Sequence, residues 1–176
     1  MKNFLHIRDI SLRDLKKIIS DAKIRKSKRK KLNILDPDKD SPLKGKILLQ
    51  MFEKSSLRTR LSFYLAIKQL GGGTITLRSN ELHLGAGGET IEDTAKILST
   101  YGDGFMIRTD SDQKIENFSN YLSIPVINGL SPSSHPTQVL SDIFTVEEIK
   151  KKPISKLEIT WIGDSNNVLN SLIAAS

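Results

Sequence analysis

The stretch Lys46-Ile47-Leu48-Leu49-Gln50-Met51-Phe52-Glu53-Lys54-Ser55-Ser56-Leu57-Arg58-Thr59-Arg60 decides the fold. Its first half is a short, nearly continuous apolar run, the pattern of a strand buried on both faces. Its second half passes through hydroxyls and arginines into a helical pattern from Leu61 to Leu70, which Gly71-Gly72-Gly73 stops. A strand that enters a helix through such residues is built to hold a phosphate. The free N–H groups of the first helical turn and the helix dipole favour an anion there. Arg58 or Arg60 adds a bidentate fork, and the Ser and Thr hydroxyls donate to the remaining oxygens.

The same alternation continues outward. Thr74–Leu77, Gly104–Arg108 and Ile124–Ile127 read as further strands, with Pro125 near the start of the last, where it is tolerated. Helical patterns separate them: one begins at Thr90 and carries Ile91, Ala95, Ile97 and Leu98, one spans Ile115–Leu122, and a long one runs from Pro136. Upstream, Ser11 caps a helix whose Leu12, Leu15, Ile18, Ile19 and Ala22 predict one buried face. Strands alternating with helices predict an α/β fold, a parallel sheet with helices on both faces. After the basic hinge Lys150-Lys151-Lys152-Pro153, Leu157–Gly163 predicts another strand, and Asp164-Ser165-Asn166-Asn167 opens a helix. Residues 1–150 therefore read as one complete domain. Residues 151–176 read as the first strand and helix start of a second α/β domain, left incomplete, so the chain looks cut short.

Composition narrows the class. The chain has 176 residues, 38% hydrophobic and 27% charged, as expected of a globular protein with one sizeable core. It has no cysteine, which removes disulfides and thiolate metal sites and suits a reducing cytosol. There is no apolar run of membrane-spanning length and no signal-peptide pattern, so a cytoplasmic location without membrane contact is expected. The net charge of +7 is concentrated in Lys23-Ile24-Arg25-Lys26-Ser27-Lys28-Arg29-Lys30-Lys31. That run reads either as a nucleic-acid patch or as the solvated end of a helix. No aromatic residue interrupts it to stack on bases, which favours the second reading and argues against a nucleic-acid partner.

In open parallel sheets ligands gather at the carboxyl ends of the strands. Four polar groups stand at such ends: Ser56 with Arg58, Thr59 and Arg60; Arg108-Thr109; His135-Pro136-Thr137-Gln138; and Asp164 to Asn167. Singly, each reads as a surface ion pair, a cap or a turn. Their convergence on one rim is what points to a site.

These residues carry a resemblance. Phe52 to Arg60 resembles the S-T-R-T-R carbamoyl-phosphate signature of the aspartate and ornithine carbamoyltransferases, and His135-Pro136-Thr137-Gln138 is identical to their second signature. The resemblance extends through His83-Leu84-Gly85 and Gly88-Glu89-Thr90. Glu53-Lys54-Ser55, Ile127-Asn128-Gly129-Leu130 and Asp164-Ser165-Asn166-Asn167 resemble the ornithine type, while Ala86-Gly87-Gly88 lacks the lysine usual in the aspartate type. The resemblance implies carbamoyl transfer from carbamoyl phosphate to L-ornithine, giving L-citrulline and phosphate, in arginine biosynthesis or the urea cycle. It implies neither cofactor nor metal, and a homotrimer.

It also implies roles. Ser56, Leu57, Arg58 and Thr59 would bind the phosphate. Arg108 would reach phosphate and carbamoyl oxygen. His135 and Gln138 would hold the carbamoyl group, with His135 and Arg108 catalytic. His83 would reach a neighbouring subunit's site, and Asn167 would contact ornithine. Leu57 stands where the family usually has threonine, so one hydroxyl donor is missing while the backbone N–H remains. The short second domain implies binding of carbamoyl phosphate with little turnover by this chain alone. The alternatives are an aspartate-type enzyme and a non-catalytic anion-binding remnant.

Overall fold

The computed structural model describes residues 3–78 and 88–176. The chain forms α1 (Leu12–Lys28), β1 (Ile47–Phe52), α2 (Leu57–Gln69), β2 (Gly73–Arg78), α3 (Ile91–Tyr101), β3 (Gly104–Arg108), α4 (Asp112–Tyr121), β4 (Val126–Leu130), α5 (Pro136–Lys150) and α6 (Asn167–Ile173). The strands make one four-stranded parallel sheet in the order β2-β1-β3-β4. The chain therefore leaves β1 in one direction and builds in the other from β3 onward. The crevice at the carboxyl ends of β1 and β3 is the place where such a sheet binds ligands.

Both faces of the sheet are covered, as the alternation of elements requires. On one face Leu49, Met51, Phe105, Ile107 and Val126 pack with Ala95 and Leu98 of α3 and Ile115 and Phe118 of α4. On the other, Leu48 and Met106 pack with Ile67 and Phe63 of α2. The Phe105 and Phe118 rings lie 5.1 Å apart and tilted, a favourable aromatic pair. Helix α2 stops where its glycines predict: Gly71 has φ +86°, its N–H donates to Lys68 C=O and that of Gly72 to Ile67 C=O. Ser11, Thr90 and Ser111 cap α1, α3 and α4 through their hydroxyls.

Two local features differ from the sequence-based expectation, and a third lies outside it. No residue of α1 is buried, and Leu12 is 66% exposed. Charge rather than an apolar face holds this helix. Arg25 and Arg29 grip Asp38 at 2.7 and 2.6 Å, Lys23 reaches Glu147 at 2.5 Å, and Lys26 reaches Glu148 at 2.7 Å. Burial pushes the Asp38 carboxyl up, but the hydrogen bonds from Arg29 and Arg25 outweigh it and hold it below the ordinary carboxylate value. Much of the Lys23–Lys31 run is thus spent on this protein's own acids. Secondly, Leu157–Gly163 joins no sheet among the described residues, although α6 follows as expected. A strand forms only against a partner, and none lies beside this segment among the described residues. Thirdly, Phe4 bridges to β4 through Phe4 N–H to Val126 C=O at 2.8 Å and Asn128 N–H to Phe4 C=O at 2.9 Å, covering that edge.

One core residue stands out. Gln50, in the middle of β1, is fully buried, and neither its Nε2 nor its Oε1 has a hydrogen-bond partner. An unpaired buried amide costs more than a shape-matched apolar side chain in the same place. Gln50→Met is expected to raise stability by about 1–2 kcal/mol, read as a higher urea midpoint; a lower midpoint would contradict this assignment.

Candidate functional site

The site is assembled from three chain segments that the sheet brings to one rim. The first is the entry to α2. Ser56 is its N-cap, with φ −150° and a side chain that makes no capping bond. The first N–H in the ladder is that of Arg60, to Ser56 C=O. The N–H groups of Leu57, Arg58 and Thr59 therefore have no partner within the helix, which leaves an anion site at its N-terminus. The second segment is the end of β3, where Arg108 Nη1 donates to Thr59 Oγ1 at 2.9 Å while its buried Nε has no partner. The third is the start of α5, with His135 as N-cap and Pro136 in the first turn, where a missing N–H costs nothing.

Arg58, Thr59, His135 and Gln138 line one pocket of about 260 Å³, together with Ser62, Phe63, Ala66, Thr137 and Ser141. Neither Arg58 nor Arg108 has a carboxylate partner among the described residues. Burial, with the neighbouring Arg58, lowers the Arg108 pKa from its ordinary value. Two cations held close without a counter-ion make an electrostatic vacancy for an anion. Burial, then the charge of Arg108, also lowers the His135 pKa, only partly offset by Asp142, so the ring is neutral at neutral pH. Its Nδ1 is buried without a partner.

The predicted residues do not all converge. Leu57 is 66% exposed and lines no part of the pocket, so only its backbone N–H faces the anion site. Arg60 lies off the face of α2 that lines the pocket. Gln138 lines the pocket but donates to Asp142 Oδ1 at 2.8 Å. Asn167 lies outside the lining, its Nδ2 donating to Ser131 C=O at 2.8 Å. His83 lies outside the described residues. Among the described residues no group of three or more His, Asp or Glu is placed to hold a metal.

Other contributors were not read from the sequence. Ser62 follows Arg58 by one turn of α2, and Ser141 follows Thr137 by one turn of α5; helical spacing alone would have found them. Glu53 has no such signal. It accepts from Thr109 Oγ1 and Lys114 Nζ, and its N–H donates to Arg108 C=O at 3.0 Å. It thereby ties the end of β1 to the end of β3 beside Arg108. The chemistry of the whole is polarisation: a neutral imidazole and a guanidinium beside an open helix N-terminus can stabilise an oxyanion.

The depressed His135 pKa has a direct readout. The ring is expected to titrate below the ordinary value of about 6.5 in a proton–nitrogen NMR pH series. A midpoint at or above the ordinary value would contradict the burial and the proximity of Arg108.

Residues 2–148 match the family described as aspartate/ornithine carbamoyltransferase, carbamoyl-P binding domain. The ornithine carbamoyltransferase of Rhizorhabdus wittichii is 43% identical over 174 residues, 99% of this chain and 56% of that protein. That of Rhizobium meliloti is 44% identical over 175 residues, 99% of this chain and 55% of that protein. Among solved structures, the ornithine carbamoyltransferase from Pyrococcus furiosus superposes with a TM-score of 0.90 at 39% identity, over 99% of this chain and 53% of that one. The catalytic subunit of M. jannaschii aspartate transcarbamoylase does so with a TM-score of 0.74 at 32% identity, over 86% of this chain and 48% of that one. The chain spans about half the length of the curated relatives it matches.

Proposed function

The chain belongs to the aspartate/ornithine carbamoyltransferase family, and from that premise we propose that its pocket binds carbamoyl phosphate for transfer of the carbamoyl group to L-ornithine. One observation carries this reading. Arg58 meets an open helix N-terminus and a neutral His135 at a single pocket, and Arg108 is tied to the pocket-lining Thr59; neither arginine has a carboxylate partner among the described residues. The phosphate suits the N–H groups of Leu57, Arg58 and Thr59, the Ser56 and Thr59 hydroxyls, and the Arg58 fork. The carbamoyl oxygen suits Arg108 and His135, and the carbamoyl amide suits Gln138 once it turns from Asp142.

In this reading the ornithine side-chain amine attacks the carbamoyl carbon. The carbonyl electron pair moves onto oxygen, where Arg108 and the imidazole N–H of His135 stabilise it. As the pair returns, the carbon–oxygen bond to phosphate breaks. Phosphate leaves into the Arg58 and helix N-terminal site, and the new citrulline nitrogen gives its proton to an oxygen of the departing phosphate. A neutral imidazole is suited to this work because a third cation beside two arginines would be costly. Orientation and charge stabilisation lower the barrier.

The ornithine type is favoured over the aspartate type by the names of the two curated relatives above and by the higher structural similarity to the P. furiosus protein. We assign residues 1–150 to the carbamoyl-phosphate unit and 151–176 to the beginning of an amino-acid-binding unit, with Asn167 as its ornithine contact. A homotrimer in the cytoplasm, with His83 reaching a neighbouring site, completes the proposal. Leu61 and Tyr64, exposed on α2, are suited to a subunit contact.

Millimolar carbamoyl phosphate is expected to raise the melting temperature, by the equivalent of about 2.7 kcal/mol at a hundredfold excess over Kd. Arg58→Ala should remove the shift. A melting temperature of the unaltered chain that ignores carbamoyl phosphate would contradict the reading. Citrulline formation from ornithine, and not carbamoylation of aspartate, by protein carrying these residues tests the acceptor.

A further inference from the structure

The loop that delivers His135 to the pocket is held from below by α6. Asn167 Nδ2 donates to Ser131 C=O at 2.8 Å, and Asn170 Nδ2 donates to Ser133 C=O at 3.2 Å. Between them lies Ser171, only 3% exposed. Its hydroxyl proton goes to Asn167 C=O at 2.9 Å. Its oxygen accepts the His135 N–H at 2.8 Å and the Ser134 hydroxyl at 3.2 Å. One donor and two acceptor positions are thus all filled, as a buried hydroxyl requires.

His135 itself is anchored differently. Its Nδ1 has no partner, so no side-chain bond orients the ring. It precedes Pro136 with φ −136° and ψ 69°, outside the helix it caps. Its direction into the pocket therefore depends on the main chain, and the bond that ties this N–H to another element is the one to Ser171. Arg108 from β3 and Asp142 from α5 are the charges that face the ring, and neither holds it by a hydrogen bond.

We propose that Ser171 is a positioning residue that sets His135 over the pocket and couples α6 to the carbamoyl end of the site. The proposal rests on the reading above only in taking His135 as a contact of carbamoyl phosphate. It gives α6 a second task. The helix that begins with Asn167, assigned to the amine, grips through Ser171 the residue assigned to the carbamoyl group. A displacement of α6 on amine binding is thereby transmitted to His135 through one hydroxyl. Small misplacements of such a group are costly because oxyanion stabilisation depends on orientation.

The test compares Ser171→Ala with Asn170→Ala, which removes another α6 side-chain anchor but leaves the His135 N–H bonded. Nitrogen-15 spectra of the 176-residue chain report the His135 amide and ring, and calorimetry gives the Kd for carbamoyl phosphate. Ser171→Ala is expected to move the His135 amide resonance upfield, speed its hydrogen exchange, and raise the Kd about three- to tenfold, the worth of one hydrogen bond. Asn170→Ala should leave all three close to those of the unaltered chain. The proposal is overturned if Ser171→Ala leaves the His135 signals in place, or if Asn170→Ala reproduces its effects, which would mean that α6 docking alone is responsible. If the unaltered chain binds no carbamoyl phosphate while Ser171→Ala still shifts the His135 signals, the positioning is supported and the functional reading fails.

Discussion

The hydrogen bond from Arg108 to Thr59 joins the end of β3 to the first turn of α2, and the site depends on it. It turns a helix N-terminus into a charged cradle, because it brings a second unneutralised guanidinium beside Arg58. That arrangement is electrostatically unfavourable in an empty pocket, and burial already lowers the Arg108 pKa. The surrounding structure over-determines it. Glu53 accepts from Thr109 and Lys114 immediately beyond Arg108, so β1, β3 and α4 hold the guanidinium in place from its own strand end. Positive charge kept unpaired by such support is stabilised when an anion arrives.

The contrast with α1 shows how specific this is. Arg25 and Arg29 are also close together, yet both are saturated by Asp38, and Arg25 is further bound to Asp21 and Asp40. One pair of arginines was spent on architecture and the other left open for a ligand. The overall positive charge therefore says little about partners; the residual, uncompensated charge at the pocket says more.

Strands β1, β3 and β4 were legible because buried parallel strands leave short apolar runs that local pattern identifies, whereas β2, an edge strand with no buried residue, showed as the alternation Thr74-Ile75-Thr76-Leu77. The shared pocket of Arg58, Thr59, His135 and Gln138 was legible because these residue types carry their chemistry. What was not legible depends on partners distant in sequence. The apolar periodicity of α1 marks a helix, but burial also needs a surface to cover it, and α1 is held by ion pairs to Asp38, Glu147 and Glu148 instead. Leu157–Gly163 has strand composition without a strand beside it. Leu57 sits within the signature, yet it is exposed and outside the pocket lining. Glu53 and Ser171 act through bonds to residues 56 and 36 positions away, beyond any local pattern.

The central claim is that one anion site, built from the ends of β1 and β3 and the start of α5, accepts carbamoyl phosphate. Mapping amide shift changes across the chain as carbamoyl phosphate is added tests it most directly. The account predicts changes centred on Leu57, Arg58 and Thr59, extending to Arg108 and His135, with the Lys23–Lys31 run unmoved. Changes confined to that basic run, or none at the α2 N-terminus at saturating ligand, would contradict it.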